Sequence, residues 1–282
     1  MKYETIQVDR TPAGVGIVWL NRPDIRNAFN ETMIAELTAA FRELEAEREI
    51  RAVILAGRGL AFCAGGDLNW MKRMADYTFE QNYEDALGLA TMLHTLYTLK
   101  KPTIARVHGA AFAGGMGLVA ACDIAVAAVG VEFSLSEVRL GLIPATIAPY
   151  VVTAMGERAA YRYMLSAERF DSAEAYRIGL VQELVQPAEL DSSINAILGS
   201  IVAGAPGAHA ATKDLIRSVA DTPLTHELVK DTAARIATAR ASDEAKEGIR
   251  AFLEKRKPAW LKELPAPNAE TRETQRSRKK GK

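Results

Sequence analysis

The chain has 282 residues, 49% of them hydrophobic, enough for one large core with an appendage. Its 35 basic and 35 acidic side chains cancel, so no global field favours a nucleic-acid or membrane partner, and no apolar run is long enough to span a bilayer. Two distant cysteines, Cys63 and Cys122, and four scattered histidines offer no metal cluster; free thiols and an N-terminus without an apolar secretory segment fit a cytoplasmic setting.

Alternation from Glu4 to Asp9 and the apolar run Gly16 to Leu20 predict two strands. After the turn-rich NRPDIRNAFN, Asn30 opens a helix to about Ala46, with Met33, Leu37, Phe41 and Leu44 on one face. Arg51 to Ala56 is a buried strand, Gly57 to Asp67 a glycine-rich loop, and Leu68 to Leu99 a helical stretch broken near Tyr77. Thr103 to Val107 is a strand, followed by AFAGGMGLVAACD from Ala111 to Asp123 and by two strands, Ile124 to Ala128 and Glu132 to Val138. Helices dominate from about Ala148, with Asp171-x-x-Glu174 as a capping box. The organisation is α/β: a core over residues 1–203, a helical region over 204–262, and a polar, basic, flexible tail over 263–282.

One internal echo stands out. VILAGRGLAFCAGGDL (53–68) and TIARVHGAAFAGGMGL (103–118) each run strand, glycine, Phe, Ala-Gly-Gly, Leu, otherwise offset by fifty residues, except that Cys63 separates Phe62 from its Ala-Gly-Gly and nothing does so after Phe112. Such a period suggests stacked strand-strand-helix turns of one superhelix, which set two similar loops side by side. Each loop offers backbone N–H groups at a helix start, and two such donors converging on one oxygen make an oxyanion hole. A rival reading is a dinucleotide loop: Gly115-x-Gly117-x-x-Ala120 follows a strand, with Glu137 twenty residues beyond Gly117. Its helix, about eight residues long, is short for a crossover.

Extended alternation puts Phe133, Leu135 and Glu137 on one face. A carboxylate among apolar groups resists ionisation, which raises its pKa toward a general acid/base range; the alternative is that Glu137 ends its strand and faces solvent. Asp67, at a helix start, is explained by N-capping. His108 at a strand end reads as structural, and Cys63 has no evident base to activate it.

FCAGGDL (Phe62–Leu68), VHGAAFAGGMGLVAACDIAVA (Val107–Ala127) and FSLSEVRLGLIPA (Phe133–Ala145) resemble the enoyl-CoA hydratase/isomerase, or crotonase, family, as do LNRPDIRNAF, FDSAEAYRIGLVQELV and FLEKRKPAW. The resemblance implies a crotonase-type ββα superhelix whose helical C-terminal region builds a homotrimer or a dimer of trimers. It implies an acyl-CoA thioester substrate, with coenzyme A entering as part of that substrate and no separate cofactor. It assigns the oxyanion-hole amides to Gly66 and Gly114 and the acid/base to Glu137. CoA contacts fall on Arg26, Ala28, Ala64, Asp67 and Leu68, and on Lys255 toward a neighbouring subunit. Asn69 stands where the family usually has a phosphate-binding lysine. Trp70, Met71, Met74, Phe112 and Met116 are candidates for the acyl pocket, with core packing as the equal alternative.

The pattern also breaks. The second glutamate of simple hydratases aligns with Gly117, and the usual LGLIPGAGGTQRL is here LGLIPATIAPYV. The resemblance is greatest to methylglutaconyl-CoA and isohexenylglutaconyl-CoA hydratases. Space above Gly117 would then admit a substrate branch or carboxylate, with Arg139 as a cation for the latter. The expected activity is hydration of a branched, carboxylated 2-enoyl-CoA. The alternative is a Δ3,Δ2-enoyl-CoA isomerase with Glu137 alone, and the remote one is nucleic-acid binding through the basic tail.

Overall fold

A computed structural model describes residues 3–262; the predicted tail, and the nucleic-acid reading built on it, lie outside them. Strands β1 (Ile6–Arg10) and β2 (Val15–Leu20) form an antiparallel hairpin. Helix α1 (Glu31–Ala46) starts where the Asn30 side chain accepts from the Met33 N–H, and it buries Met33, Leu37, Phe41 and Leu44. The predicted capping residue and apolar stripe are both present. β3 (Ala52–Gly57) is buried along its whole length. The long helical stretch breaks as predicted, into α2 (Leu68–Met74) and α3 (Phe79–Thr98), because Thr78 and Gln81 close a capping box at the start of α3.

β4 (Thr103–Val107), β5 (Ala111–Phe112), α4 (Gly114–Ala121), β6 (Ile124–Ala128) and β7 (Glu132–Ser134) follow. Next come α5 (Ala148–Ser166), β8 (Phe170–Asp171), α6 (Ser172–Arg177), β9 (Glu183–Val185) and α7 (Leu190–Ala203). Helices α8 (Pro206–Val219), α9 (His226–Ala241), α10 (Asp243–Leu253) and α11 (Ala259–Lys262) complete the described chain.

The main sheet has the order β1-β2-β3-β4-β6-β9 and is parallel from β2 onward. A second column of short pairings runs beside it, from Phe29 to Gly66, Cys63 to Ala111, β5 to β7 and β7 to β8. Each turn of chain therefore adds one strand to the main sheet, one short segment to the column and a helix. This is the ββα superhelix that the fifty-residue echo suggested. The core fills the space between the sheet and the helices, with Phe41, Phe62, Leu93 and Phe133 fully buried.

Two local predictions need correction. The strand expected over Glu132 to Val138 stops at Ser134, and Glu137 opens a 3-10 turn, Glu137–Leu140. Pairing ends there because the neighbouring strands β5 and β8 are only two residues long. Asp171 caps α6 by accepting from the Glu174 N–H, but the Glu174 carboxylate binds Tyr163 and Arg177 instead of closing the box.

Candidate active site

The two echoed loops are neighbours. Cys63 N–H donates to the Ala110 carbonyl (3.1 Å) and the Cys63 carbonyl accepts from Phe112 N–H (2.9 Å). On the other side, Phe29 N–H donates to the Gly65 carbonyl and Asp67 N–H to the Phe29 carbonyl, both at 2.8 Å. Backbone groups of successive residues along a bridge alternate in direction, so the intervening Gly66 N–H turns away from Phe29. A Cβ on Gly65 would lie 3.2 Å from the Ala113 Cβ, and Gly65 itself has φ +94°, a conformation that favours glycine. Gly66 and Gly114 thus each follow one member of a touching pair.

Gly114 is the first residue of α4, after Ala113 at φ 48° and ψ −120°. Such backbone costs about 1–3 kcal/mol and concentrates at functional sites. Here Ser134 holds it, accepting from Ala113 N–H at 2.8 Å, while the Ala113 carbonyl takes the N–H groups of Met116 and Gly117. Among the described residues, neither Gly66 N–H nor Gly114 N–H has an acceptor. Two free amides, one at a positive helix end, suit a developing oxyanion.

Glu137 lies three residues past Ser134, the residue that grips Ala113. Its Oε2 is buried without any hydrogen-bond partner. Burial pushes its carboxyl above the ordinary carboxylate value. The predicted desolvation is therefore present, although its cause is the turn after β7 and not a continued strand. The other orphaned buried side-chain atom among the described residues is Nδ1 of His108, whose Nε2 reaches the Gly59 carbonyl at 2.9 Å. Burial lowers the His108 pKa. Cys63 is fully buried and its thiol is pushed up to about 12, which removes it as a nucleophile.

The space expected above Gly117 is filled. A Cβ on Gly117 would lie 2.3 Å from Cγ2 and 2.8 Å from Cβ of Ile147. Gly117 therefore admits neither a substrate branch nor a carboxylate; helix packing requires it to be glycine. Gly115 is equally enclosed, 2.6 Å from the Cys63 carbonyl by the same measure. The dinucleotide reading fails with it, because these glycines meet protein instead of a phosphate cradle.

The other predicted residues fall in varied settings. Met116 is fully buried beside Gly117. Asp67 uses both carboxylate oxygens, Oδ1 on the Asn69 and Trp70 amides and Oδ2 on Arg22 at 2.8 Å; capping explains its side chain. Ala28 is buried, Ala64 half-buried and Leu68 exposed. Arg26 is exposed, and its carbonyl accepts from Ala64 N–H at 2.9 Å, which joins the two CoA-assigned loops. Arg139 is exposed two residues after Glu137, with no ion pair among the described residues. Lys255 is exposed past the end of α10, on the far end of the chain from these loops. Trp70 and Met71 border Gly66, where a Cβ would be 3.5 Å from Met71 Cγ and 3.7 Å from Trp70 Cε3.

The sequence reading missed Arg22 and Asn27. Asn27 is fully buried at φ 57°, and its side chain accepts from Arg22 N–H and donates to the carbonyls of Arg58, Ala61 and Phe62. Its signal was weak, one polar residue among several in the turn-rich NRPDIRNAFN. Arg22 had none, since its partners lie elsewhere in the chain.

The family model described as enoyl-CoA hydratase/isomerase matches residues 10–263. The chain belongs to the enoyl-CoA hydratase/isomerase family. An enoyl-CoA hydratase structure from Shewanella pealeana shares 40% identity at a TM-score of 0.89, over 92% of this chain and 97% of that one. A Thermus thermophilus protein that carries the provisional name enoyl-CoA hydratase is 36% identical, over 90% of this chain and 100% of its own. The short-chain-enoyl-CoA hydratase of Clostridium acetobutylicum is 33% identical over 86% of this chain and 92% of its own. As a member of the enoyl-CoA hydratase/isomerase family, the chain is an enzyme with the superhelical fold of its relatives.

Proposed function

We propose that this enzyme hydrates a 2-enoyl-CoA thioester with Glu137 as its single acid/base. The observation that carries the reading is the buried, partnerless Oε2 of Glu137, one short turn from the strand that grips the oxyanion loop. The thioester oxygen sits between the Gly66 and Gly114 amides. Ionised Glu137 takes a proton from water as the oxygen adds to the β-carbon. The amides hold the negative charge of the resulting enolate, and the same carboxyl returns the proton to the α-carbon. The names of several relatives support hydration.

Of the finer substrate, the carboxylate rests on Arg139, whose exposed guanidinium is free among the described residues to meet an anion, and the branch rests on the resemblance of the motifs. CoA lies along Arg26, Ala28, Ala64 and Leu68, with the Asp67 segment contributing backbone, and Lys255 serves a neighbouring copy. Association as a trimer or a dimer of trimers is supported by large apolar side chains exposed on the C-terminal helices.

A second reading, isomerisation of a 3-enoyl-CoA, is favoured by Ile147. Its methyl groups occupy the wall where another carboxylate could hold water. Glu137 alone then moves a proton from the α-carbon to the γ-carbon. Product masses in heavy-oxygen water separate the two, with straight 2-enoyl, straight 3-enoyl and 3-methylglutaconyl thioesters as substrates. A labelled hydroxyacyl product establishes the hydratase, and the preferred thioester tests the carboxylated chain. An unlabelled product with a moved double bond overturns hydration in favour of isomerisation.

A further inference from the structure

Phe29 contacts both segments that carry the proposed oxyanion-hole amides. Its backbone brackets Gly66, binding the Gly65 carbonyl and the Asp67 N–H at 2.8 Å each. Its ring lies against Gly114, with Cε2 2.3 Å from where a Cβ would stand. The loop that carries Phe29 is held in turn by Arg22. Arg22 Nη1 donates to the carbonyl of Ala28, just before Phe29, at 2.7 Å, and Nη2 donates to Oδ2 of Asp67, just after Gly66, at 2.8 Å. The side chains of Arg22 and Asp67 are 21% and 9% exposed, so this bridge is shielded from salt and water.

We infer that Arg22 and Phe29 are positioning residues that set the separation of the Gly66 and Gly114 amides, an inference that rests on the proposed oxyanion role. Gly66 and Gly114 lie on different turns of the superhelix, linked through the two Cys63 backbone hydrogen bonds and the close approach of Gly65 to Ala113. Phe29, from a third turn, spans that link: its main chain fixes one donor and its ring sets the approach of the other. A guanidinium fork suits Arg22 because it reaches two acceptors in fixed directions, which a lysine ammonium does not. Oxyanion donors work only within a few tenths of an ångström of their ideal distance.

The test uses the full chain, with Arg22→Met, Arg22→Lys and Phe29→Leu beside the wild type. The reporter is the infrared stretch of the thioester carbonyl in bound, unreactive butyryl-CoA labelled with carbon-13 at that position. The expected result is a lowered frequency in the wild type that moves back toward the solution value in Arg22→Met and Phe29→Leu. Turnover should fall about 10- to 100-fold in both, with KM within about threefold and Arg22→Lys intermediate. A folded Arg22→Met with wild-type frequency and turnover overturns the inference while leaving the oxyanion role intact. A wild-type frequency equal to that in solution sinks both. If Arg22→Met does not fold, Asp67→Asn carries the same test, since it keeps the cap acceptor and removes the charge that Arg22 binds.

Discussion

Glu137 has a buried oxygen with no partner and a carboxyl raised by burial. Such a group binds more protons folded than unfolded between its ordinary and its raised pKa, so its contribution to stability falls as pH rises through that window. Glu137→Gln should therefore raise the melting temperature at neutral pH, with the gain disappearing below the ordinary carboxylate range. The same change should lower turnover about a hundred- to ten-thousand-fold. Thermal melts at two pH values and steady-state rates check the pair of outcomes. Gly117 makes the opposite case, a residue whose identity is set by its neighbour. Gly117→Glu should cost about 1–3 kcal/mol through overpacking against Ile147, and adding Ile147→Ala should recover part of that loss in denaturant melts. Glu137 could be picked out from its motif, although β7 ends before the alternation reaches it. Ile147 could not, because nothing in LIPATIAPY says which helix its side chain will meet.

At the scale of elements, several helices begin at a side chain that caps them. Asn30, Asp67, Thr78 and Asp171 each accept from an amide in the first turn that follows. Capping is a contact between residues two or three apart, so it is readable from sequence. The docking of α8 on the core is different. Lys213 donates to Oδ2 of Asp123 and to the Lys101 carbonyl, and Asp123 also accepts from the backbone and hydroxyl of Thr103. The Lys213 and Asp123 side chains are 9% and 28% exposed. Lys213→Met should cost about 3 kcal/mol, the low end for breaking a buried pair. Amide hydrogen exchange should then show α8 opening before the main sheet; simultaneous opening would mean that the ion pair does not govern this docking.

For the whole molecule, the fifty-residue echo carried the architecture, since each turn of a superhelix repeats the same packing problem. The C-terminal region leaves Leu224, between α8 and α9, and Phe252 and Leu253, at the end of α10, at 86%, 81% and 73% exposure. If these side chains bury between copies, as proposed, Phe252→Asp should shift the protein to a smaller species in sedimentation equilibrium. A sedimentation profile unchanged from the wild type would remove this face from the interface.

Most strand and helix positions, the N-caps, the paired glycine loops and the family motifs were set by the sequence itself. They depend on periodicity, capping and backbone freedom within a few residues. Tertiary structure alone decided that Arg22 clamps Asp67, that Phe29 spans both glycine loops and that Ile147 closes the wall over Gly117. Each is a contact between separate turns of the superhelix, and its partner is chosen by how the turns stack, which no local pattern encodes.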